Sequence, residues 1–197
     1  MRLLEFLVES ERKGVCAEER DTHAWREFGR EVAIMVVDSV GFSRTTRAHG
    51  IVHFLSKMAA AREIMTLVLG ESRATSYGFH ADNCIAHFAS PDDALETAIA
   101  LQQAIFKSGL WLNPEELYGI SIGVGFGKVL YAESMEGYFG DEMNLASKLG
   151  EDVGGRDDIL LTESAFSCLS NQQGHAYRRN DISVSGLNIP YFSVTWK

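Results

Sequence analysis

Hydrophobic and polar positions along the chain predict a charged helical segment followed by a mixed domain of strands and helices. In residues 1–30 the apolar side chains recur on one side of a predicted helix among many charges, the pattern of an amphipathic helix. The run Val32–Val37 is short, unbroken and β-rich, which predicts a buried central strand. It ends at the turn signal Asp38-Ser-Val-Gly41. We therefore predict an N-terminal helical extension over residues 1–30 and one domain over residues 31–197.

The periodicity of the rest of the chain predicts the order β-α-β-β-α-β, followed by a smaller αββ tail. Helices are predicted over residues 45–69, 94–106, 142–150 and 164–169, and strands over 73–79, 83–89, 118–131, 159–161, 182–185 and 191–196. The first six elements have the order of a ferredoxin-like unit. The predicted fold class is therefore α+β, a ferredoxin-like βαββαβ core with a C-terminal αββ extension.

Charge and composition narrow the possible partners. The 197 residues include 27 acidic side chains against 18 Lys and Arg, which gives a formal net charge of −9. Binding of a nucleic-acid polymer by counterion release requires a basic surface, so we expect no such partner. The apolar runs fall far short of the roughly 20 residues that a membrane-spanning helix needs, so we expect no membrane partner. The cysteines Cys16, Cys84 and Cys168 are isolated, which is typical of a reduced, cytoplasmic chain.

Two aspartates are the first candidates for chemistry. Asp38 follows the buried strand directly, and Asp82 lies between the two strands predicted next. Each alone is equally compatible with an ordinary turn residue. In a β-α-β-β unit, however, the end of the first strand neighbours the hairpin of the next two, so both carboxylates can converge. Converging carboxylates suit a hard divalent cation, which can in turn bind a triphosphate.

Three ordered motifs resemble the class III nucleotidyl cyclases, the adenylate and guanylate cyclase family. Residues 36–43 (VVDSVGFS) resemble the family segment F-x-D-I-x-G-F-T, and residues 81–88 (ADNCIAHF) resemble its second metal-binding strand. Residues 139–149 (FGDEMNLASKL) are similar to the family helix W-G-x-x-V-N-x-A-S-R-L. The resemblance covers about residues 31–197 and implies an enzyme that converts a nucleoside triphosphate to a 3′,5′-cyclic nucleotide and pyrophosphate.

The resemblance implies a metal-binding and a triphosphate-binding group of residues. Two divalent metal ions, Mg²⁺ or Mn²⁺, would be held by Asp38 and Asp82, with the carbonyl of Ser39 as a further ligand. The triphosphate would be bound by backbone N–H groups and one lysine, namely Gly41, Phe42, Ser43 and Lys128. A surface lysine after a glycine turn is otherwise ordinary, so the assignment of Lys128 stands beside that simpler interpretation.

The same resemblance implies a homodimer with shared active sites. Asn144 and Lys148 are four residues apart and share a helix face. They would orient the ribose and stabilise charge on the α-phosphate from the opposite subunit. Lys148 stands where the family has arginine, so the charge is kept while the forked donor geometry is lost. An exposed polar helix face is the alternative interpretation.

The base-recognition positions depart furthest from the family. Purine cyclases carry a Lys four residues before the second metal Asp and an Asp or Cys before the W/F-G pair, and the matching positions here are Gly78 and Gly137. A site without those donors and acceptors cannot select a purine by polar contacts. A different base, relaxed selectivity and a decayed enzyme are the three explanations. Because Asp38, Asp82 and Asn144 remain, we favour a changed base.

The chain therefore most resembles the bacterial pyrimidine cyclases of anti-phage defence, with UTP favoured over CTP as substrate. That resemblance implies a separate effector protein that responds to the cyclic nucleotide. The alternatives are an adenylate or guanylate cyclase of relaxed selectivity and a catalytically silent nucleotide-binding or dimerisation module. An RNA-recognition role of the ferredoxin-like core is disfavoured by the net charge. The glycines at 123, 125 and 127 match a dinucleotide fingerprint only weakly, because they lie within a predicted strand.

Overall fold

The computed structural model describes residues 2–132, 137–184 and 187–197. The described helices are α1 (Leu3–Arg12), α2 (Ala17–Phe28), α3 (Phe42–His49), α4 (Ile51–Glu71), α5 (Pro91–Ser108), α6 (Asp141–Ser147) and α7 (Glu163–Ser167), with a π-helical turn, Lys148–Val153, directly after α6. The described strands are β1 (Gly29–Ser39), β2 (Ser76–His80), β3 (Asn83–Phe88), β4 (Trp111–Asn113), β5 (Glu116–Leu117), β6 (Ile120–Ala132), β7 (Gly137–Phe139), β8 (Ile159–Thr162), β9 (Ala176–Val184) and β10 (Leu187–Thr195).

A single large sheet organises the chain and confirms the predicted α+β fold class. Its strands follow the order β2-β3-β1-β6-β8-β10-β9, and β7 pairs with β6. The segment β2-β3-β1-β6 is antiparallel throughout, as in a ferredoxin-like βαββαβ unit. Strand β8 then joins β6 in parallel, and β10 and β9 complete the sheet as an antiparallel pair. The C-terminal strands therefore extend the core sheet.

Several predicted boundaries are corrected by the structure. The helix predicted over residues 45–69 is two helices, because Gly50 has a φ of +87° that interrupts the helical backbone. The strand predicted at 73–79 lies at Ser76–His80, and strand β1 begins at Gly29, so the predicted boundary after residue 30 falls inside β1. The short strands β4, β5 and β7 were not predicted. Residue 185, the end of one predicted strand, lies outside the described residues.

Side chains from β1 separate two apolar layers. Ala33, Met35 and Val37 point into the main core, which is closed by α4 and α5. Ile34 and Val36 point to the opposite face and pack with residues of β6 and α6. Both sets are at most 1% exposed, which explains why the sequence of β1 is an unbroken apolar run. The first two helices pack beside the end of β6 through a separate cluster, whose buried members are Leu3, Phe6, Ala24 and Ala132.

Helix α6 lies unusually close to β6, and glycines make this approach possible. A Cβ at Gly123 would lie 2.1 Å from the Ala146 carbonyl oxygen, and one at Gly125 would lie 2.7 Å from the carbonyl oxygen of Glu142. The Glu142 carboxylate accepts hydrogen bonds from the Phe126 N–H at 3.0 Å and from the Thr162 hydroxyl at 2.7 Å. The glycines of β6 that weakly match a dinucleotide fingerprint therefore form the surface on which α6 packs.

Within the described residues, none of the helices combines the length and the apolar character needed to cross a membrane.

The close approach of α6 predicts that Gly123→Ala destabilises the protein. The added methyl group collides with helix backbone, and overpacking of this kind costs about 1–3 kcal/mol or more. Gly70→Ala is the matched control, because among the described residues its Cβ would meet nothing within 4 Å in the last turn of α4. Alanine has the higher helix propensity, so this variant should raise the free energy of unfolding by up to about 1 kcal/mol. Urea denaturation of both variants measures the free energy of unfolding. Equal values for Gly123→Ala and the wild type would contradict this account of α6.

Candidate active site

Asp38 and Asp82 meet at one edge of the sheet, as predicted from the order of the elements. Val37 pairs with Cys84, so Asp38 comes next to Asn83 and to the turn between β2 and β3 that carries Asp82. The Ser39 hydroxyl donates a hydrogen bond of 3.2 Å to the backbone carbonyl of Asp82, which ties the end of β1 to that turn.

Burial and neighbouring negative charge make the Asp38 carboxyl hard to ionise. Its pKa is raised from 3.8 to about 7, first by burial and then by the charge of Asp82, with smaller contributions from Glu151 and Asp152. A hydrogen bond from the Ser39 N–H acts in the opposite direction. The protein thus concentrates negative charge here without a compensating cation among the groups that act on Asp38, which favours binding of a metal ion at this position.

Three further side chains hold this edge together. Ser39, which is 3% exposed, shares a hydrogen bond of 2.5 Å with the Tyr118 hydroxyl. Burial raises the pKa of Tyr118 to about 12, so the phenol stays protonated. From α4, Arg62 donates a hydrogen bond to the carbonyl oxygen of Ala81, whose φ of +51° marks the tight turn before Asp82. The position of Asp82 is therefore braced from two sides.

The predicted triphosphate-binding turn lies directly after the predicted metal-binding edge, which is the end of β1 with Asp38 together with the β2–β3 turn that carries Asp82. Gly41 has a φ of +96° and is the N-cap of α3, so Phe42 and Ser43 are the first two residues of that helix. The first N–H groups of a helix have no partner within it and carry the positive end of the helix dipole. Both residues are exposed. The arrangement can accept a phosphate group next to Asp38.

Lys128 does not join this site within one chain, so its predicted contact with the triphosphate stays a prediction. In the register of β1 and β6, Lys128 pairs with Glu31, whereas Asp38 pairs with Ser121 seven residues away, roughly 23 Å along the strand. Its neighbour Val129 packs with the α6 layer. Because side chains alternate along a strand, Lys128 faces the opposite side of the sheet from Asp38.

Asn144 and Lys148 share the outer face of α6 and the turn that follows it. Asn144 is exposed, and the Lys148 ammonium pairs with the Asp152 carboxylate at 2.5 Å. The next residues of this turn approach the metal-binding edge, where Glu151 accepts a hydrogen bond of 3.0 Å from the Asn83 amide. Asn144 is thus open to solvent and Lys148 is half-buried, while Glu151 lies beside Asn83 next to the aspartates.

The two predicted base-pocket glycines line one cavity. This cavity has a volume of about 370 Å³ and lies between β2, β3 and the β6–β7 hairpin. Among the described residues, a Cβ at Gly137 would meet nothing within 4 Å, and one at Gly78 would lie 3.6 Å from Nε2 of His80. The absence of side chains at these positions therefore leaves open space. Gly137 has a φ of +75°, a backbone conformation that disfavours any other residue.

Sequence reasoning missed several residues that the structure brings to these sites. Arg62 and Glu151 act on the metal-binding edge, Tyr118 supports Ser39, and His87 lines the base cavity. No motif or local pattern distinguishes Arg62, Glu151 or Tyr118. For His87 the alternation of β3 was a usable signal, because Asn83, Ile85 and His87 share one face of the strand.

The residues at the edge fit a divalent cation that is bound together with a triphosphate. Among the described residues no group of three or more His, Cys, Asp and Glu side chains is spaced to hold a metal ion by itself. Mg²⁺, however, is commonly bound through one or two carboxylates plus substrate phosphates and water. Asp38 and Asp82 would supply those carboxylates, and the phosphates would lie at the adjacent Gly41 turn.

Comparison with proteins of known sequence places the chain among nucleotidyl cyclases. The family model described as "Adenylate and Guanylate cyclase catalytic domain" matches residues 27–195. A curated relative, "Putative adenylate cyclase 3" of Rhizobium meliloti (strain 1021), is 28% identical over 158 residues. The match covers 72% of this chain and 26% of that protein, so the chain spans about a quarter of the length of this relative.

Solved structures share the fold at low sequence identity. The guanylyl cyclase Cya2 superposes with a TM-score of 0.71 at 16% identity, over 84% of this chain and 92% of that one. An adenylate/guanylate cyclase/hydrolase from Silicibacter pomeroyi also has a TM-score of 0.71, at 19% identity over 84% and 96%. A dimeric guanylyl cyclase domain from Blastocladiella emersonii reaches 0.65, at 14% identity over 84% and 97%. The match of the family model to nearly the whole domain shows that the chain belongs to the adenylate and guanylate cyclase catalytic-domain family.

Proposed function

We propose that this chain is a metal-dependent cyclase of a pyrimidine nucleoside triphosphate, with UTP preferred over CTP. The ribose 3′-oxygen forms a bond to the α-phosphorus, the bond to the β-phosphate bridging oxygen breaks, and the products are the 3′,5′-cyclic nucleotide and pyrophosphate. The observation that carries this proposal is the convergence of Asp38 and Asp82 beside the Gly41 turn, with the charge of Asp82 acting on Asp38.

Each part of the edge has a role in that reaction. Asp38 and Asp82 would hold two divalent cations, Mg²⁺ or Mn²⁺, with the Ser39 carbonyl as a further ligand. Such ions supply Lewis-acid activation of a hydroxyl and neutralise phosphate charge. The N–H groups of Gly41, Phe42 and Ser43 would donate hydrogen bonds to the triphosphate. Ser39 and Arg62 hold the turn that carries Asp82 in place through their hydrogen bonds to its backbone carbonyls.

A complete site requires a second copy of the chain. Asn144 is exposed and Lys148 faces outward on the same helix face, so they are available to a triphosphate bound at the edge of a partner. Asn144 would orient the ribose, and Lys148 would stabilise the charge of the α-phosphate. A twofold homodimer then contains two identical sites, each built from both chains.

The base cavity supports the choice of a pyrimidine. The side chains that select purines in the family are absent at Gly78 and Gly137, which both line this cavity. The cyclic product would act as a second messenger for a separate effector protein, as in anti-phage defence.

An adenylate or guanylate cyclase of relaxed selectivity remains the second candidate, favoured by the names of the relatives. A silent nucleotide-binding or dimerisation module is the third, favoured by Lys148 in place of arginine.

Removal of one metal-binding carboxylate is expected to abolish turnover. Asp38→Asn removes a charge that metal binding requires, and we expect cyclase activity with Mn²⁺ to fall at least about 100-fold. Asp181→Asn, which changes an exposed aspartate of β9, controls for the loss of a negative charge and should retain full activity. Chromatographic detection of cyclic product from each of the four NTPs provides the measurement. If the wild type forms no product from any NTP, the silent-module alternative replaces the cyclase.

Shared sites predict that two inactive variants restore each other. Asp38→Asn and Asn144→Ala are each expected to be inactive alone. In an equal mixture that exchanges subunits, half of the dimers are mixed and each has one intact site, so activity should return to about one quarter of the wild type. Activity assays on the mixture after subunit exchange test this expectation. A mixture as inactive as its components would show that both residues act within one chain.

Substrate competition tests the choice of base. With all four NTPs at equal concentration, we expect cUMP to be the main product and cCMP the second, because Gly78 and Gly137 offer a purine no side-chain hydrogen bond. Mass spectrometry of the cyclic products gives the ratio directly. Strong preference for ATP or GTP would contradict the pyrimidine assignment and leave the cyclase assignment intact.

A further inference from the structure

His87 occupies an unusual position in the wall of the base cavity. It lies on β3 between the core residues Ala86 and Phe88, and only 9% of its surface is exposed. Its pairing in the sheet places it opposite Ile34 on β1 and opposite Ser76 on β2. Together with Ser76 and Gly78 it lines the cavity from the sheet side. A buried polar ring in an otherwise apolar strand requires a hydrogen-bonding explanation.

Only one of the two ring nitrogens of His87 is accounted for. Nδ1 lies 3.0 Å from the Ser76 hydroxyl oxygen. Nε2 is buried and has no hydrogen-bond partner among the described residues. A buried polar atom without a partner costs free energy, commonly about 1–3 kcal/mol. Because the Tyr138 ring covers His87, a ligand that moves this ring aside can supply the missing hydrogen bond.

The charge state of His87 suits a neutral ligand. Burial lowers the pKa of the imidazole to about 4, so the ring is neutral at pH 7. A neutral imidazole has one N–H donor and one lone-pair acceptor, and the Ser76 hydroxyl can complement either tautomer at Nδ1. Nε2 is therefore able to donate to a carbonyl or to accept from an N–H. The polar edge of uracil carries both, an N–H flanked by two carbonyl groups.

Flat aromatic rings form the adjoining wall of the cavity. The Tyr138 ring lies 3.9 Å from the His87 ring, at an interplanar angle of 32°, and the Tyr131 ring lies 4.6 Å from that of Tyr138. Tyr138 therefore lies between His87 and Tyr131, and it is the aromatic ring that a ligand must displace to reach His87. Tyr138 covers His87 and follows directly after Gly137, where no side chain fills the neighbouring space.

We propose that His87 is a specificity-determining residue whose Nε2 makes a hydrogen bond to the polar edge of a pyrimidine base, in the space left by Gly78 and Gly137. The proposal rests on the function proposed above and identifies the group that replaces the missing purine-selecting side chains. Ser76 is its positioning residue, since it holds Nδ1 and thereby orients the ring. The base would take the place that the Tyr138 ring occupies beside His87 in this structure.

The test compares a variant that keeps the ring with one that keeps the hydrogen bond. His87→Phe preserves a flat apolar ring next to Tyr138 and removes both nitrogens. His87→Gln places an amide near the position of Nε2. We expect His87→Phe to lower kcat/KM for UTP about 10- to 100-fold while changing the value for ATP less than about threefold. His87→Gln should recover most of the preference for UTP over ATP.

A second variant serves if His87→Phe does not fold, as judged by thermal unfolding. Ser76 is exposed, so Ser76→Ala should fold, and it is expected to lower the UTP-to-ATP ratio several-fold through loss of the contact to Nδ1. If the wild type cyclises no NTP, the proposed function fails, and calorimetric binding of UTP with Ca²⁺ to the same variants decides the role of His87. The proposal is overturned if the variants lower activity or binding equally for UTP and ATP, or leave the ratio unchanged.

Discussion

The register of β1 between its two neighbours is the constraint on which the rest of the structure depends. Backbone hydrogen bonds join β1 to β3 on one side and to β6 on the other. This pairing brings Asp38 to the turn that contains Asp82 and directs Ile34 and Val36 toward α6. A shift by one residue would turn Asp38 into the main apolar core. The alternating burial of β1 therefore specifies the metal-binding edge as well as the two core layers.

Charge repulsion at this edge explains how an acidic protein can bind a polyanion. Burial and the charge of Asp82 raise the pKa of Asp38, so in the absence of cations the ionised pair is unfavourable. A divalent cation relieves the repulsion and at the same time attracts the phosphates. The net charge of −9 thus disfavours binding of a nucleic-acid polymer, whereas a nucleotide that is bound together with metal ions is compatible with it.

Glycines perform two different tasks in this chain. In β6, Gly123 and Gly125 allow α6 to lie directly on the strand backbone, which positions the face that carries Asn144 and Lys148. Around the cavity, Gly78 and Gly137 leave space instead of filling it with side chains. The first task is structural and would exist in any protein with this packing. In the proposed function, the second task alters which base the cavity can hold. His87 is a buried polar residue that lines the same cavity.

Local patterns in the sequence were sufficient for most of the framework. The apolar run of β1, the turn after Asp38 and the N-cap and proline that begin α5 are determined by neighbouring residues, and the order of the elements indicated that Asp38 and Asp82 would converge. The break at Gly50 and the short strand β7 were not predicted, because a single glycine or three residues carry little periodic signal.

The sequence by itself determined the family, the α+β core and the pair of aspartates, since motifs and periodicity are local properties. Only the tertiary structure decided that Lys128 faces away from Asp38, that Glu151 approaches Asn83 and that Nε2 of His87 is buried without a partner in the described part of the chain. These relations join residues far apart in the chain, and they depend on strand register, strand alternation and helix packing. None of these is contained in the residues on either side of each position.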